Sequence, residues 1–323
     1  MKFTRYCRSL LSTPAMAVER YARSHQSGAD IAMVDLEDSV PPAHKEQARR
    51  LAAEFFALPS AKLARCAVRI NAVSRPDGLR DLVALTRYPV KPDLVLIPMA
   101  ESPRDVEIVA GALGAHCPET EFLAVVETPR GVERAAAIAG AGHRLRGLVF
   151  GSADYAFAVG ARLSWEALAH ARGRVVNGAR SAGVEAMDAP FFEVADLDGL
   201  RAEAALARDL GFSGKIAIHP RQLPAIHQAF TPDAELLERA RRVVEAGRAN
   251  GRSVTVVDGM MVGMPFFEAS ERLIEQFGPP RAPDAPPDRS SSTGTNGTGT
   301  GTSTSTERTP ERRPATDRNE DRA

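Results

Sequence analysis

The chain has 323 residues, 44% of them hydrophobic and 25% charged, which supplies a sizeable core and excludes wholesale disorder. Forty-one Lys and Arg balance forty-one Asp and Glu, so no overall field draws the protein to nucleic acid or to an anionic membrane, and neither is expected as a partner. Cys7, Cys66 and Cys117 are too few and wrongly spaced for a disulfide framework or a Cys-ligated zinc site; without a run long enough for a signal-peptide core or a membrane span, the expectation is a soluble, cytoplasmic protein.

In chain order, short runs rich in Val, Ile and Leu predict strands at Arg8 to Leu11, Ile31 to Asp35, Cys66 to Asn71, Leu94 to Pro98, Phe122 to Glu127, Leu145 to Phe150, Val184 to Asp188 and Lys215 to His219. Between them, Ala-, Arg- and Glu-rich segments predict helices over Pro14 to Ser27, His44 to Ala57, Pro103 to Gly111, Pro129 to Ala139, Ser164 to Ser181 and Asp196 to Leu210, several with proline at the start and glycine at the stop. Eight strand-helix units predict a (β/α)8 TIM barrel over residues 1–230, with a doubly wound open sheet as the alternative. Residues 231–278 carry a charged helix, a β-like run at Ser253 to Val257 and a helix from about Pro265, read as a C-terminal lid or oligomerisation subdomain. Residues 279–323 are Ser-, Thr-, Gly- and Pro-rich and read as a disordered tail.

In such a barrel the site forms where the strands end, so the polar residues closing the apolar runs are the candidates. The second strand closes with Asp35-Leu36-Glu37-Asp38, the third with Val68-Arg69-Ile70-Asn71, the fifth with Glu127-Thr128-Pro129 and the sixth with Gly151-Ser152-Ala153-Asp154. Glu127 and Asp154 are hard oxygen ligands of the number Mg2+ commonly takes from protein, although each could instead cap the following helix. The guanidinium of Arg69 suits a carboxylate, either that of a carboxylic acid substrate or an internal partner, Glu37 or Asp38. His219 could touch substrate, though a strand-end histidine of this kind is more often structural.

Taken in order, the motifs Arg8-Ser9-Leu10-Leu11, Asp35-Leu36-Glu37-Asp38-Ser39-Val40, Lys45 with Ala48-Arg49, Val68-Arg69-Ile70-Asn71, Glu127-Thr128, Phe150-Gly151 with Asp154, Gly214-Lys215 and Ile218-His219-Pro220 resemble the citrate lyase beta-subunit-like branch of the HpcH/HpaI aldolase family. The resemblance spans most of the chain. It implies a TIM barrel assembled as a homotrimer or hexamer, a Mg2+ cofactor held by Glu127 and Asp154, and an oxo-acid held by Arg69 and Glu127. It also implies cleavage or formation of a carbon-carbon bond between a 2-oxo acid and an acyl-CoA thioester of the malyl-, citramalyl- or citryl-CoA kind. Arg69 would stabilise the developing negative charge, and a carboxyl group would move the proton.

Two positions depart from the family pattern. Gly263 stands where many relatives carry a lid aspartate that enters the neighbouring subunit's site, and Met99 stands where many carry lysine. Glu37, Asp38 or Asp258 are the candidates to replace the missing acid. Two other readings remain open: an aldolase for small 2-oxo acids without CoA, and a non-catalytic ligand-binding subunit.

Overall fold

In the computed structural model the described residues are 7–59 and 64–277; the expected tail lies outside them. Eight parallel strands, β1 (Ser9–Pro14), β2 (Ile31–Asp35), β3 (Arg65–Arg69), β4 (Leu94–Ile97), β5 (Glu121–Val126), β6 (Leu145–Phe150), β7 (Glu185–Asp188) and β8 (Gly214–Ala217), follow one another round a closed barrel. Closure is made by β8 on β1, with Ser9, Leu10 and Leu11 opposite Lys215, Ile216 and Ala217. That pairing excludes the open sheet and leaves the barrel without an unpaired edge.

The helices are α1 (Tyr21–His25), α2 (Lys45–Ala57), α3 (Pro76–Arg87), α4 (Pro103–Leu113), α5 (Pro129–Glu133), α6 (Ala135–Ala139), α7 (Ser152–Val159), α8 (Trp165–Ser181), α9 (Leu197–Leu210), α10 (Leu223–Phe230), α11 (Ala234–Ala249) and α12 (Met264–Phe277). Their ends obey local chemistry. Ser102 and Asp105 form a capping box on α4, and Gly211, at φ +108°, closes α9 in a conformation that favours glycine.

Strands covered on both faces need apolar residues on both, which is why their sequences read as unbroken hydrophobic runs. One face fills the barrel interior with Leu10, Ile31, Met33, Leu96, Val125 and Val149 among others; the opposite face packs under the helix ring. Between sheet and ring lies a buried charge network. Asp188 of β7 accepts from Arg172 of α8 (Nε, 2.8 Å) and from Lys215 of β8 (Nζ, 2.6 Å), and Lys215 also reaches Glu203 of α9 at 2.6 Å. The Arg172 guanidinium stacks against both Trp165 and Phe150.

Two expected helices are corrected. The one over Pro14 to Ser27 shrinks to α1 after a 3-10 turn, because β1 runs on to Pro14, with Ser12, Thr13 and Pro14 opposite Met33, Val34 and Asp35. The polar Ser-Thr-Pro run hides this strand end, but Thr13 is buried and donates to Ser24. The helix over Pro129 to Ala139 breaks at Arg134, which leaves the helical region at φ −104°, ψ 11°.

After the barrel, α11 and α12 enclose a small core of Val243, Val257, Val262 and Phe267. Between them β9 (Thr255–Val257) pairs antiparallel with β10 (Met260–Val262) through Asp258 and Gly259, both at positive φ (52° and 76°), the geometry of a tight two-residue hairpin turn. Gly247 lets α12 approach, since a Cβ there would lie 2.8 Å from the Phe267 ring.

Candidate active site

Strand alternation brings Arg69 to the barrel mouth, on the same face as the interior residue Ala67 two positions earlier. Its guanidinium is shared among three acids. Nε and Nη2 make a bidentate pair with Asp35 at 2.7 and 2.8 Å, while Nη1 lies 2.9 Å from Glu37 and 3.1 Å from Asp38. The internal ion pair allowed by spacing is therefore present. Its main partner, Asp35, closes β2 and was not among the carboxylates expected to hold this arginine.

The loop bearing these acids is stapled from below. Lys45 Nζ donates to the carbonyls of Leu36 and Glu37 (2.8 and 2.7 Å) and to Asn71 Oδ1 (2.6 Å). Asn71 is held in turn by Asp81, which is itself paired with Arg49. Lys45, Arg49 and Asn71 all belong to the motifs named above, but their spacing gave no sign that Asp81 joins them.

Glu127 follows β5 directly and is 3% exposed. It does not cap the next helix; Thr128 does, accepting from the Gly131 N–H at 3.0 Å. The Glu127 carboxylate accepts from the Met99 N–H at 2.7 Å, and its other oxygen lies against Gly151 so closely that a Cβ there would overlap it. Asp154 sits in the first turn of α7, just past β6. Asp35, Asp38, Arg69, Glu127, Gly151 and Asp154 all line one cavity of about 410 Å3 with an apolar floor that includes Met33, Leu96 and Val125. Glu37 is not on that surface and stands beside Arg69.

The electrostatics follow from burial and crowding. Burial opposes charge on Asp35, but the Arg69 pair outweighs it and holds this carboxyl below the usual range. Glu37 is pushed up to about 9: burial dominates, Arg69 pulls the other way with a charge already committed to Asp35, and Glu127 and Asp38 add repulsion. Glu127 is raised to about 7, first by burial, with the Met99 N–H opposing and Asp154 repelling. Asp154 is raised by burial and by Asp38. Acids so crowded are short of positive charge. Among the described residues no group of three or more His, Cys, Asp or Glu side chains is placed to hold a metal ion.

A second cavity of about 280 Å3, lined by Arg20, Arg23 and His219, shares Ser12, Pro14, Arg20 and Ile218 with the first. His219 is structural in one respect, its Nδ1 accepting from the Arg221 N–H at 3.1 Å. Arg20 and Arg23 were not among the expected site residues; they fell within the helix expected over Pro14 to Ser27.

A closed parallel barrel with its acids and one arginine gathered at the carboxyl ends of the strands has the anatomy of a TIM-barrel enzyme. The sequence profile of the HpcH/HpaI aldolase/citrate lyase family matches residues 8–220, and the chain belongs to that family. It is 33% identical over 281 residues to the citrate lyase subunit beta of Haemophilus influenzae, covering 83% of this chain and 96% of that protein. The (3S)-malyl-CoA thioesterase of Cereibacter sphaeroides is 34% identical over 260 residues, 79% of this chain and 89% of that one. Among solved structures, the CitE protein of Mycobacterium tuberculosis in complex with magnesium, acetoacetate and coenzyme A superposes with a TM-score of 0.71 at 31% identity, covering 86% of this chain and 100% of that one.

Proposed function

We propose that this protein is a Mg2+-dependent carbon-carbon lyase that cleaves or forms the bond between a 2-oxo acid and an acyl-CoA thioester. The observation that carries the reading is the cavity on which Glu127, Asp154 and Arg69 converge. A buried carboxylate beside Gly151, repelled by Asp154 and adjoined by Asp38, is a donor set that fits a hard divalent cation, so Glu127 and Asp154 would hold Mg2+. Held there, Mg2+ would supply Lewis-acid polarisation of the oxo-acid carbonyl.

The protein's own groups do the rest. Arg69, fixed by Asp35, presents its remaining positive face to the oxo-acid carboxylate and stabilises charge developing on the carbonyl oxygen. Asp38, on the cavity surface, takes the proton of the substrate hydroxyl as the carbon-carbon bond breaks and returns it to the enolate carbon of the thioester, so the proton balance closes without an external donor. Burial and the neighbouring carboxylates favour the protonated form of Glu37, which lessens the negative charge set against Arg69. The cleft of Arg20 and Arg23 opening from the same mouth suits the phosphates of CoA, which favours a CoA thioester over a small free acid.

Among the described residues no helix is long and apolar enough to cross a membrane, and we place the protein in the cytoplasm. We place it there as a homotrimer or hexamer, with residues 231–278 as its lid and oligomerisation subdomain.

Calorimetric titration of pyruvate, glyoxylate or oxaloacetate with and without Mg2+ tests the reading. Binding should require Mg2+ and should vanish in Glu127→Ala and in Asp154→Ala. Binding that ignores the metal, or survives both substitutions, rejects the proposal.

A further inference from the structure

β4 ends at Ile97, and two residues later the chain does something unusual: Met99 adopts φ +53°. Among the described residues only Arg252 and Asp258, both after the barrel, share a positive φ without being glycine. An L side chain in this region is strained, and such strain persists only where the surroundings over-determine it. Here they do. Pro98 precedes, the Ala100 N–H is tied to the Val125 carbonyl at 3.1 Å, and Gly131 in the first turn of α5 closes on the Ala100 carbonyl so tightly that a Cβ there would overlap it. The outcome is that the Met99 N–H leaves the sheet direction and points at Glu127 Oε1, 2.7 Å away. On the other side of the carboxylate lies the bare Cα of Gly151.

We propose that Met99 is a positioning residue that acts through its main chain: its N–H, turned by the left-handed backbone, and the Gly151 Cα edge clamp the Glu127 carboxylate in one orientation toward the mouth, and the side chain at position 99 takes no part. This rests on the proposed role of Glu127. It also removes the significance of finding methionine where a lysine was expected, since any residue able to hold φ +53° presents the same donor.

The test uses the full chain and Mg2+ as the probe, read by calorimetry, with melting temperature measured in parallel. Met99→Ala and Met99→Lys should keep Mg2+ affinity within about threefold. Met99→Gly should keep it and raise Tm by about 2 °C, because glycine relieves the strain. Replacing the amide at position 99 by an ester, through the α-hydroxy analogue of methionine, deletes only the N–H and should weaken Mg2+ binding about tenfold and lower Tm. The drop in Tm should disappear in a Glu127→Ala background, where the acceptor is gone. Unchanged Mg2+ affinity in the ester variant, or a tenfold loss in folded Met99→Ala, overturns the clamp. If the wild-type protein binds no Mg2+, the proposed function falls, and the clamp is then judged by Tm alone: additive losses from ester and Glu127→Ala overturn it, and non-additive losses uphold it.

Discussion

Arg69 shows how a single side chain can be shared among several carboxylates. Asp35 occupies two of its donors in a fixed fork, and the third nitrogen serves Glu37 and Asp38, of which only Asp38 is well exposed. Lysine would keep the charge and lose the fork. Arg69→Lys should therefore leave the barrel folded and raise the KM for the oxo acid more than it lowers kcat; an unchanged KM would count against carboxylate recognition by this residue. Gly151 is under a tighter constraint, because a methyl group there would overlap both the Cβ and the Oε2 of Glu127. Gly151→Ala should cut turnover on the order of a hundredfold by displacing the carboxylate while far-ultraviolet circular dichroism stays the same. Turnover at the wild-type level would show that Glu127 tolerates the displacement.

Among the elements, α8, β7, β8 and α9 are held together by the network around Asp188. Burial by itself would raise the Asp188 carboxyl; Lys215 and Arg172 override it, and the folded-state pKa lies below the ordinary value of 3.8. A lowered pKa means the stabilising contribution is complete above about 3.8 and is lost as the pH falls below it. Asp188→Asn leaves Lys215 and Arg172 with too little compensating charge and should cost about 3–5 kcal/mol at pH 7. Urea unfolding between pH 6 and 3 should show the wild type losing part of this advantage over the variant at the acid end, and a constant gap across that range would refute the assignment. The segment after the barrel makes a separate prediction. A Cβ at Gly263 would meet Val254 at 3.4 Å, an ordinary contact, so a side chain is tolerated there. Gly263→Asp should raise CoA-lyase turnover in a correctly folded protein, and unchanged turnover would remove position 263 from the chemistry.

At the scale of the whole molecule, the hairpin and the start of α12 leave Val254, Val256, Met261 and Phe266 between 47% and 69% exposed. Exposed apolar side chains of this kind, with Val256 and Met261 opposite one another across the hairpin, suit contact with a second copy. Light scattering should give a trimer or hexamer, and Val256→Glu with Met261→Glu should dissociate it; a monomeric wild type ends the proposal. Much of the barrel was legible in advance, since residues buried on both faces of a strand must be apolar and such runs stand out between helices with proline starts and glycine stops. The hairpin turn at Asp258-Gly259 and its second strand were not expected, only the run leading into it. Less visible were the end of β1, whose polar Ser-Thr-Pro run imitates a loop, and α3, α7 and α10, which fall beside stronger signals. Sequence by itself determined the eight-unit alternation and the identity of the acids and arginine at the strand ends, because periodicity and residue type are local properties. Closure of β8 on β1, the choice of Asp35 as the partner of Arg69, and the main-chain donor of Met99 were decided only in three dimensions. Each depends on groups that are distant in the chain and on backbone directions that no side chain encodes.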